Sequence, residues 1–103
     1  MNKNILEKLV YLKNQFLDEG FIINGVFGSY VRNENTPNSD IDILYILSPK
    51  FRDRYKGIRA IARLDYIQDT ISNDLGIKVD LVHRETLNSI SAKYIIPEAI
   101  NVE

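Results

Sequence analysis

The chain has 103 residues, 45% hydrophobic and 26% charged, which predicts one globular domain over residues 1–103 with no separate substrate-binding lobe. Its net charge of −1 argues against nucleic acid as a partner, because phosphate binding usually brings a basic excess. Without cysteine, the chain can form neither disulfides nor thiolate metal sites. The chain shows neither a signal-peptide run nor a stretch of ~20 apolar residues, so we expect a cytoplasmic protein without membrane contact.

The first third of the chain predicts a helix, a strand and a loop. Apolar residues recur at helical spacing over residues 5–17, and Gly20 is a natural helix stop. Residues 21–27 are an apolar run, interrupted by Asn24, that is typical of a buried strand. Gly28 and Ser29 end this strand, a short helical turn is expected after them, and residues 33–39 are a polar loop.

The remaining chain alternates strands with helices. Residues 41–47 predict a strand and Ser48-Pro49 a break or helix start. Residues 50–56 predict an exposed basic run near the mouth of the site, which is either a solvated face or a docking patch for an acidic partner. Apolar residues between 58 and 75, Ile58 and Ile61 among them, predict a long helix that ends at Gly76. Residues 78–82 predict a third strand, residues 86–94 a weak helix, and residues 95–102 a last turn and a short strand. Three tyrosines lie in apolar patterns and are expected in the core: Tyr11, Tyr45 and Tyr66.

This order of elements predicts an α/β or α+β fold in which helices pack against a small sheet. Only three strands are clear in the sequence, so the sheet should be narrow.

The residues that suggest chemistry are acids on two predicted strands. Asp40 and Asp42 are two positions apart, so their side chains should share one face of the strand. Two such carboxylates repel each other, and Mg²⁺, which prefers oxygen ligands, would relieve the repulsion. Asp80 would join them if its strand lies beside theirs, which would support one or two metal ions. Acids at strand ends are also common for structural reasons, and His83, on the opposite face from Asp80, is expected to be structural.

A Gly-Ser turn precedes these acids. Gly28 would let a phosphate approach the backbone, and Ser29 offers a hydroxyl beside the N–H groups of a helical turn. Arg32 could bind a phosphate with its planar guanidinium, although a solvated loop arginine is the structural alternative. Ser39 could shape the turn before Asp40 or contact phosphate. Together these residues predict a site for Mg²⁺ and a nucleoside triphosphate.

Gly28-Ser29 is followed, after ten intervening residues, by Asp-Ile-Asp at 40–42. This spacing resembles the nucleotidyltransferase signature of the DNA polymerase β superfamily. With residues 28–32 and 79–82, the chain is similar to a minimal nucleotidyltransferase (MNT) domain. The resemblance implies a small mixed sheet of the polymerase β palm type. It also implies that Asp40, Asp42 and Asp80 bind Mg²⁺ and catalyse, while Gly28 and Ser29 hold the triphosphate.

The same resemblance implies a reaction and a partner. The reaction is transfer of AMP from ATP to a hydroxyl group with release of pyrophosphate. Stand-alone members of this family are antitoxins that adenylylate a tyrosine of a HEPN-domain RNase toxin, so it implies a hetero-oligomer with such a toxin. Two alternatives remain open: an antitoxin that acts by binding alone, and a small-molecule nucleotidyltransferase, which would normally carry an extra helical domain.

Overall fold

A four-stranded sheet with two long helices on one face organises the chain. The computed structural model describes residues 3–27, 40–86 and 100–101. The helices are α1 (Lys3–Leu17), α2 (Pro49–Arg54) and α3 (Ile58–Leu75), and the strands are β1 (Phe21–Phe27), β2 (Ile41–Leu47), β3 (Val79–His83) and β4 (Ile100–Asn101). One turn of 3₁₀ helix, Arg84–Thr86, follows β3. No helix in these ranges is both long and apolar enough to cross a membrane.

The sheet is mixed, with strand order β3-β2-β1-β4. Strand β1 is antiparallel to both β2 and β4, whereas β2 and β3 are parallel. Parallel neighbours need a crossover connection, and here it consists of α2 and α3. The architecture therefore confirms the predicted α+β class with a small mixed sheet, and β4 is the short last strand that the sequence suggests.

The core lies between the sheet and the helices α1 and α3. Alternation along β2 directs Ile41, Ile43 and Tyr45 toward the helices, where all three are buried. They pack with Leu9, Leu12 and Phe16 of α1, Phe51 of α2, and Ile67, Ile71 and Leu75 of α3. Leu44 is buried on the other face of β2, outside this cluster. The second face of β2 is thus polar at its start and apolar further along, as its sequence predicts.

Two glycines fix the ends of the long helices. Gly76 ends α3 in the left-handed conformation, with φ of 67°, and its N–H donates to the Ser72 carbonyl. Gly20 lies between α1 and β1 with φ of 90°. A Cβ atom built on Gly20 would lie 2.6 Å from the backbone nitrogen of Phe51, so the approach of α2 requires glycine at this position.

The interruption in the β1 pattern is a β-bulge. The register of β1 against β2 shifts between Ile23 and Gly25, which makes Asn24 the extra residue. The Asn24 side-chain oxygen accepts a hydrogen bond from Arg84, at the end of β3, although β2 lies between these strands. A side-chain hydrogen bond therefore links the bulge in β1 to the end of β3, two strands away.

Several residues expected in the core are exposed. Tyr11 and Tyr66 lie on the surface, and so do Ile58 and Ile61 of the apolar series that predicts α3, whereas Tyr45 is buried as expected. For Ile58, Ile61 and Tyr66 the physical reason is that α3 has apolar residues on both its inner and its outer half. Its inner side, with Ile67 and Ile71, faces the sheet, and its outer side near the N-terminus does not.

A polar cluster joins the end of α1 to α2 and α3. The Arg63 guanidinium donates two hydrogen bonds to the Glu19 carboxylate, at 2.7 and 2.6 Å, and the Tyr55 hydroxyl donates a third at 2.8 Å. The Arg63 hydrogen bonds dominate in holding the pKa of Glu19 below its ordinary value, against the opposing effect of burial. The same carboxylate raises the pKa of Arg63.

Candidate active site

Two of the predicted acids are direct neighbours in the sheet. Asp42 of β2 and Asp80 of β3 are paired positions in the parallel register. Both residues are partly buried, and alternation directs their side chains to the face of the sheet opposite α1 and α3. Adjacent strands are only about 4.8 Å apart, so the pairing holds two carboxylates close together on one surface.

Asp40 lies just before β2, at the same end of the sheet. Its carboxylate is 3.7 Å from the ammonium group of Lys78, and the Lys78 side chain is 73% exposed. The backbone also joins these segments, since the Ile41 N–H donates to the Lys78 carbonyl at 2.9 Å. An exposed ion pair of this length is weak, so Asp40 can exchange Lys78 for another cation at small cost.

The predicted phosphate-binding residues fall outside the described part of the chain: Gly28, Ser29, Arg32 and Ser39. The two ends of their segment are described. Phe27, the last residue of β1, is paired with Asp42, and Asp40 follows Ser39. The segment that carries these four residues therefore starts and finishes at the acidic end of the sheet.

The donor set of the described acids can be compared with the needs of Mg²⁺. Among residues 3–27 and 40–86, no group of three or more His, Asp or Glu side chains is gathered closely enough to hold a metal. Mg²⁺ is usually bound by one or two carboxylates together with waters and substrate phosphates. The Asp42–Asp80 pair supplies oxygen ligands of this kind, so the residues fit a site that substrate phosphates would complete.

His83 lies on the helix-facing side of β3. Its ring stacks on Tyr45, with centroids 4.9 Å apart, and its Nε2 has no hydrogen-bond partner within the described ranges. Burial raises the pKa of the Tyr45 hydroxyl. This packing, away from Asp80, agrees with the structural role expected for His83.

The basic run over residues 50–56 is not near the acids, contrary to the sequence-based expectation. Helix α2 follows the carboxyl end of β2, whereas Asp42 lies near the amino end. Five residues separate Asp42 from Leu47, which corresponds to about 17 Å along an extended strand. The length of β2 therefore places this run at the other end of the sheet.

Asn24 and Arg84 were not singled out by sequence reasoning. They interact across β2 over a separation of 60 residues, which no local pattern reveals. The Asn-Gly interruption in β1 signals a bulge, but not its partner.

Comparison with known proteins gives a family match over most of the chain. The family model described as a nucleotidyltransferase domain matches residues 24–101, which is more than half of the chain. The protein adenylyltransferase MntA of Thermococcus cleftensis is 31% identical over 99 residues, covering 94% of this chain and 92% of that protein.

Two solved structures share the fold. One, described provisionally as a minimal nucleotidyltransferase, has a TM-score of 0.69 and 24% identity, covering 97% of this chain and 95% of that one. The other is a crystal structure of a toxin-antitoxin with AMP-PNP, with a TM-score of 0.68 and 21% identity, covering 95% of this chain and 72% of that one.

Proposed function

Because the chain belongs to the nucleotidyltransferase domain family, we propose that it is an antitoxin that transfers AMP from ATP to a tyrosine hydroxyl of a HEPN RNase toxin. The observation that carries the proposal is the pairing of Asp42 with Asp80 on one face of the sheet. The similarity to a protein adenylyltransferase over nearly the whole chain supports a protein hydroxyl as the acceptor. The proposal takes residues 1–103 as one minimal nucleotidyltransferase domain.

In this proposal, Asp42 and Asp80 hold Mg²⁺, and Asp40 joins them when it leaves Lys78. Bound Mg²⁺ would neutralise the negative charge that develops on the phosphates. Gly28, Ser29, Arg32 and Ser39 bind the triphosphate, a role that follows from their place in the sequence motif.

The protein's own residues then orient and deprotonate the acceptor. The hydroxyl oxygen bonds to the α-phosphorus of ATP, the bond from that phosphorus to the bridging oxygen breaks, and pyrophosphate leaves. Asp80 accepts the hydroxyl proton, because a carboxylate beside the attacking group is the available base. Positioning the two reactants is the larger part of the protein's contribution.

A toxin as the partner is supported by the fold shared with a toxin-antitoxin structure that contains AMP-PNP. The HEPN class and the tyrosine come from the family resemblance. ATP is a cytoplasmic metabolite, so the proposed substrate implies a cytoplasmic location.

Intact-mass spectrometry of the toxin encoded beside this gene tests the proposal. The toxin is incubated with this protein, ATP and Mg²⁺, and in parallel with the Asp40→Ala/Asp42→Ala variant. We expect a mass gain equal to one or more AMP groups with the wild type and none with the variant. A stable complex without any gain would instead support an antitoxin that acts by binding alone.

A further inference from the structure

The outer half of α3 carries three exposed large apolar side chains among charged ones. Ile58 is 80% exposed, Ile61 62% and Tyr66 55%. Helical spacing places Ile58 between Ile61 and Tyr66 on the outer half of the helix, whereas Ile67 and Ile71 are buried on its inner half. Neighbouring exposed apolar side chains on a small protein are typical of an interaction surface, because each costs free energy in water.

An open groove of about 340 Å³ lies along the Tyr66 edge of this outer half, lined by Tyr55, Arg59, Ala62, Arg63 and Tyr66. The Arg63 guanidinium lies 4.6 Å from the centre of the Tyr66 ring and is fixed by its two hydrogen bonds to Glu19. Arginine and tyrosine are common binding hot spots, and side chains that are already ordered lose little entropy when a partner binds.

The charge of this region is opposite in sign to that of the chain. Residues 49–66 contain six basic and two acidic residues, a net charge of +4, whereas the whole chain carries −1. Lys50, Lys56 and Arg59 are exposed, and none of them forms a salt bridge with a described residue. A partner that meets this region should therefore present acidic groups around an apolar centre.

We propose that α2 and the outer side of α3 form a docking face for an acidic, partly apolar surface of the toxin partner. The docking face comprises Lys50, Lys56, Ile58, Arg59, Ile61 and Tyr66. This inference rests on the proposed function for the identity of the partner. The docking face adjoins the carboxyl end of β2, and the acids lie near the amino end, so binding and AMP transfer use separate parts of the molecule.

Two other occupants fit the docking face less well. A second copy in a symmetric dimer would bring one +4 region against another, which like-charge repulsion disfavours. RNA would use the basic residues but gains little from Ile58 and Ile61, because its affinity comes mainly from phosphate contacts. An acidic protein surface uses both the charge and the apolar side chains.

The test compares variants for binding and for AMP transfer. The Ile58→Glu/Ile61→Glu variant changes the apolar centre at exposed positions, and Lys50→Glu/Lys56→Glu changes the charge. Tyr11→Glu, at a residue that is 67% exposed on α1, is the matched control. The partner is the toxin encoded beside this gene, and the dissociation constant is measured by calorimetry at low and high salt.

We expect both double variants to weaken binding at least about tenfold, Tyr11→Glu to leave it unchanged, and salt to weaken binding by the wild type. Transfer by the double variants should be slow at low toxin concentration and return to the wild-type rate at saturation. Asp42→Asn should bind like the wild type but transfer AMP about 10²-fold or more slowly.

These readouts separate the two proposals. If the wild type binds through the docking face but transfers no AMP, the proposed chemistry fails and the docking face stands. Wild-type affinity in both double variants would overturn the docking face, and so would a failure of the wild type to bind the toxin. Two further results would also overturn the docking face. One is a gel-mobility shift of a labelled RNA oligonucleotide by the wild type that the double variants abolish. The other is a wild-type homodimer in sedimentation that the double variants abolish.

Discussion

Asp42 and Asp80 occupy paired positions on parallel strands, on the face of the sheet opposite α1 and α3. Each single substitution to asparagine keeps the shape of the side chain but removes a charge. We expect each to lower the rate of AMP transfer by about 10²-fold or more, and the double variant to lose little further, because the two groups act as a unit. Asp69→Asn, an exposed acid on α3, is the control, and rates are measured by release of pyrophosphate.

Removal of metal gives a complementary measurement. With EDTA in excess, we expect the AMP-transfer rate of the wild type to fall to that of Asp42→Asn. Added Mg²⁺ should restore the rate of the wild type and leave that of the variant low. A wild-type rate that EDTA leaves unchanged would contradict the assignment of these acids as metal ligands.

Asp40 should matter for activity and little for stability. Its contact with Lys78 is long and exposed, so Lys78→Ala should change the free energy of unfolding by less than about 0.5 kcal/mol. Asp40→Asn should be equally stable in urea but strongly impaired in AMP transfer. A large loss of stability in Asp40→Asn would show that this acid has a structural role instead.

The cluster of Glu19, Arg63 and Tyr55 should stabilise the fold in a pH-dependent way. Arg63→Met leaves the Glu19 carboxylate, whose side chain is 14% exposed, without its two strongest donors, and should cost about 1–3 kcal/mol at pH 7. Arg59→Met, on the exposed side of the same helix, is the control and should have little effect on urea denaturation.

The sign of the pH effect follows from the lowered pKa of Glu19. Its contribution to stability is complete above the ordinary value of 4.5 and is lost as the pH falls through the lower pKa of the folded state. The wild type should therefore lose more stability than Glu19→Gln on going from pH 6 to below pH 4. Parallel losses in the two proteins would contradict the assignment.

Substitution of two glycines separates backbone strain from steric overlap. Gly20→Ala should cost at least about 2 kcal/mol, because it combines positive φ with a Cβ too close to Phe51. Gly76→Ala has a similar φ and no atom within 4 Å of the added Cβ, so only the roughly 1 kcal/mol of left-handed strain should appear. Thermal unfolding of both variants gives the comparison, and equal costs would show that α2 can move away.

Sequence patterns predict the strands of the site because β2 alternates apolar and polar residues at its start, where Asp42 lies. Ile41 and Ile43 identify the buried face, so the opposite face is assigned to Asp42 without a structure. The pairing of Asp42 with Asp80 cannot be predicted in this way, because it depends on the path of the crossover connection and on the residue at which β3 begins. The sequence shows that the strands could be neighbours, and only the fold shows which residues pair.

Helix α3 shows the limit of hydrophobic periodicity. Ile58, Ile61 and Ile67 belong to one apolar series in the sequence, yet only Ile67 is buried. Periodicity identifies an apolar side but not the element that covers it, and α3 has one side covered by the sheet and one that is not. The link between Glu19 and Arg63 is hidden for a similar reason, because 44 residues separate them.

The crossover between β2 and β3 also has a consequence for synthesis. Asp42 and Asp80 are 38 positions apart, with α2 and α3 between them. On the ribosome, Asp42 is made well before Asp80, and the acids can become neighbours only once β3 has been made and has paired with β2. If these acids act as proposed, a nascent or truncated chain that lacks β3 is inactive in AMP transfer, so activity reports that the fold is complete.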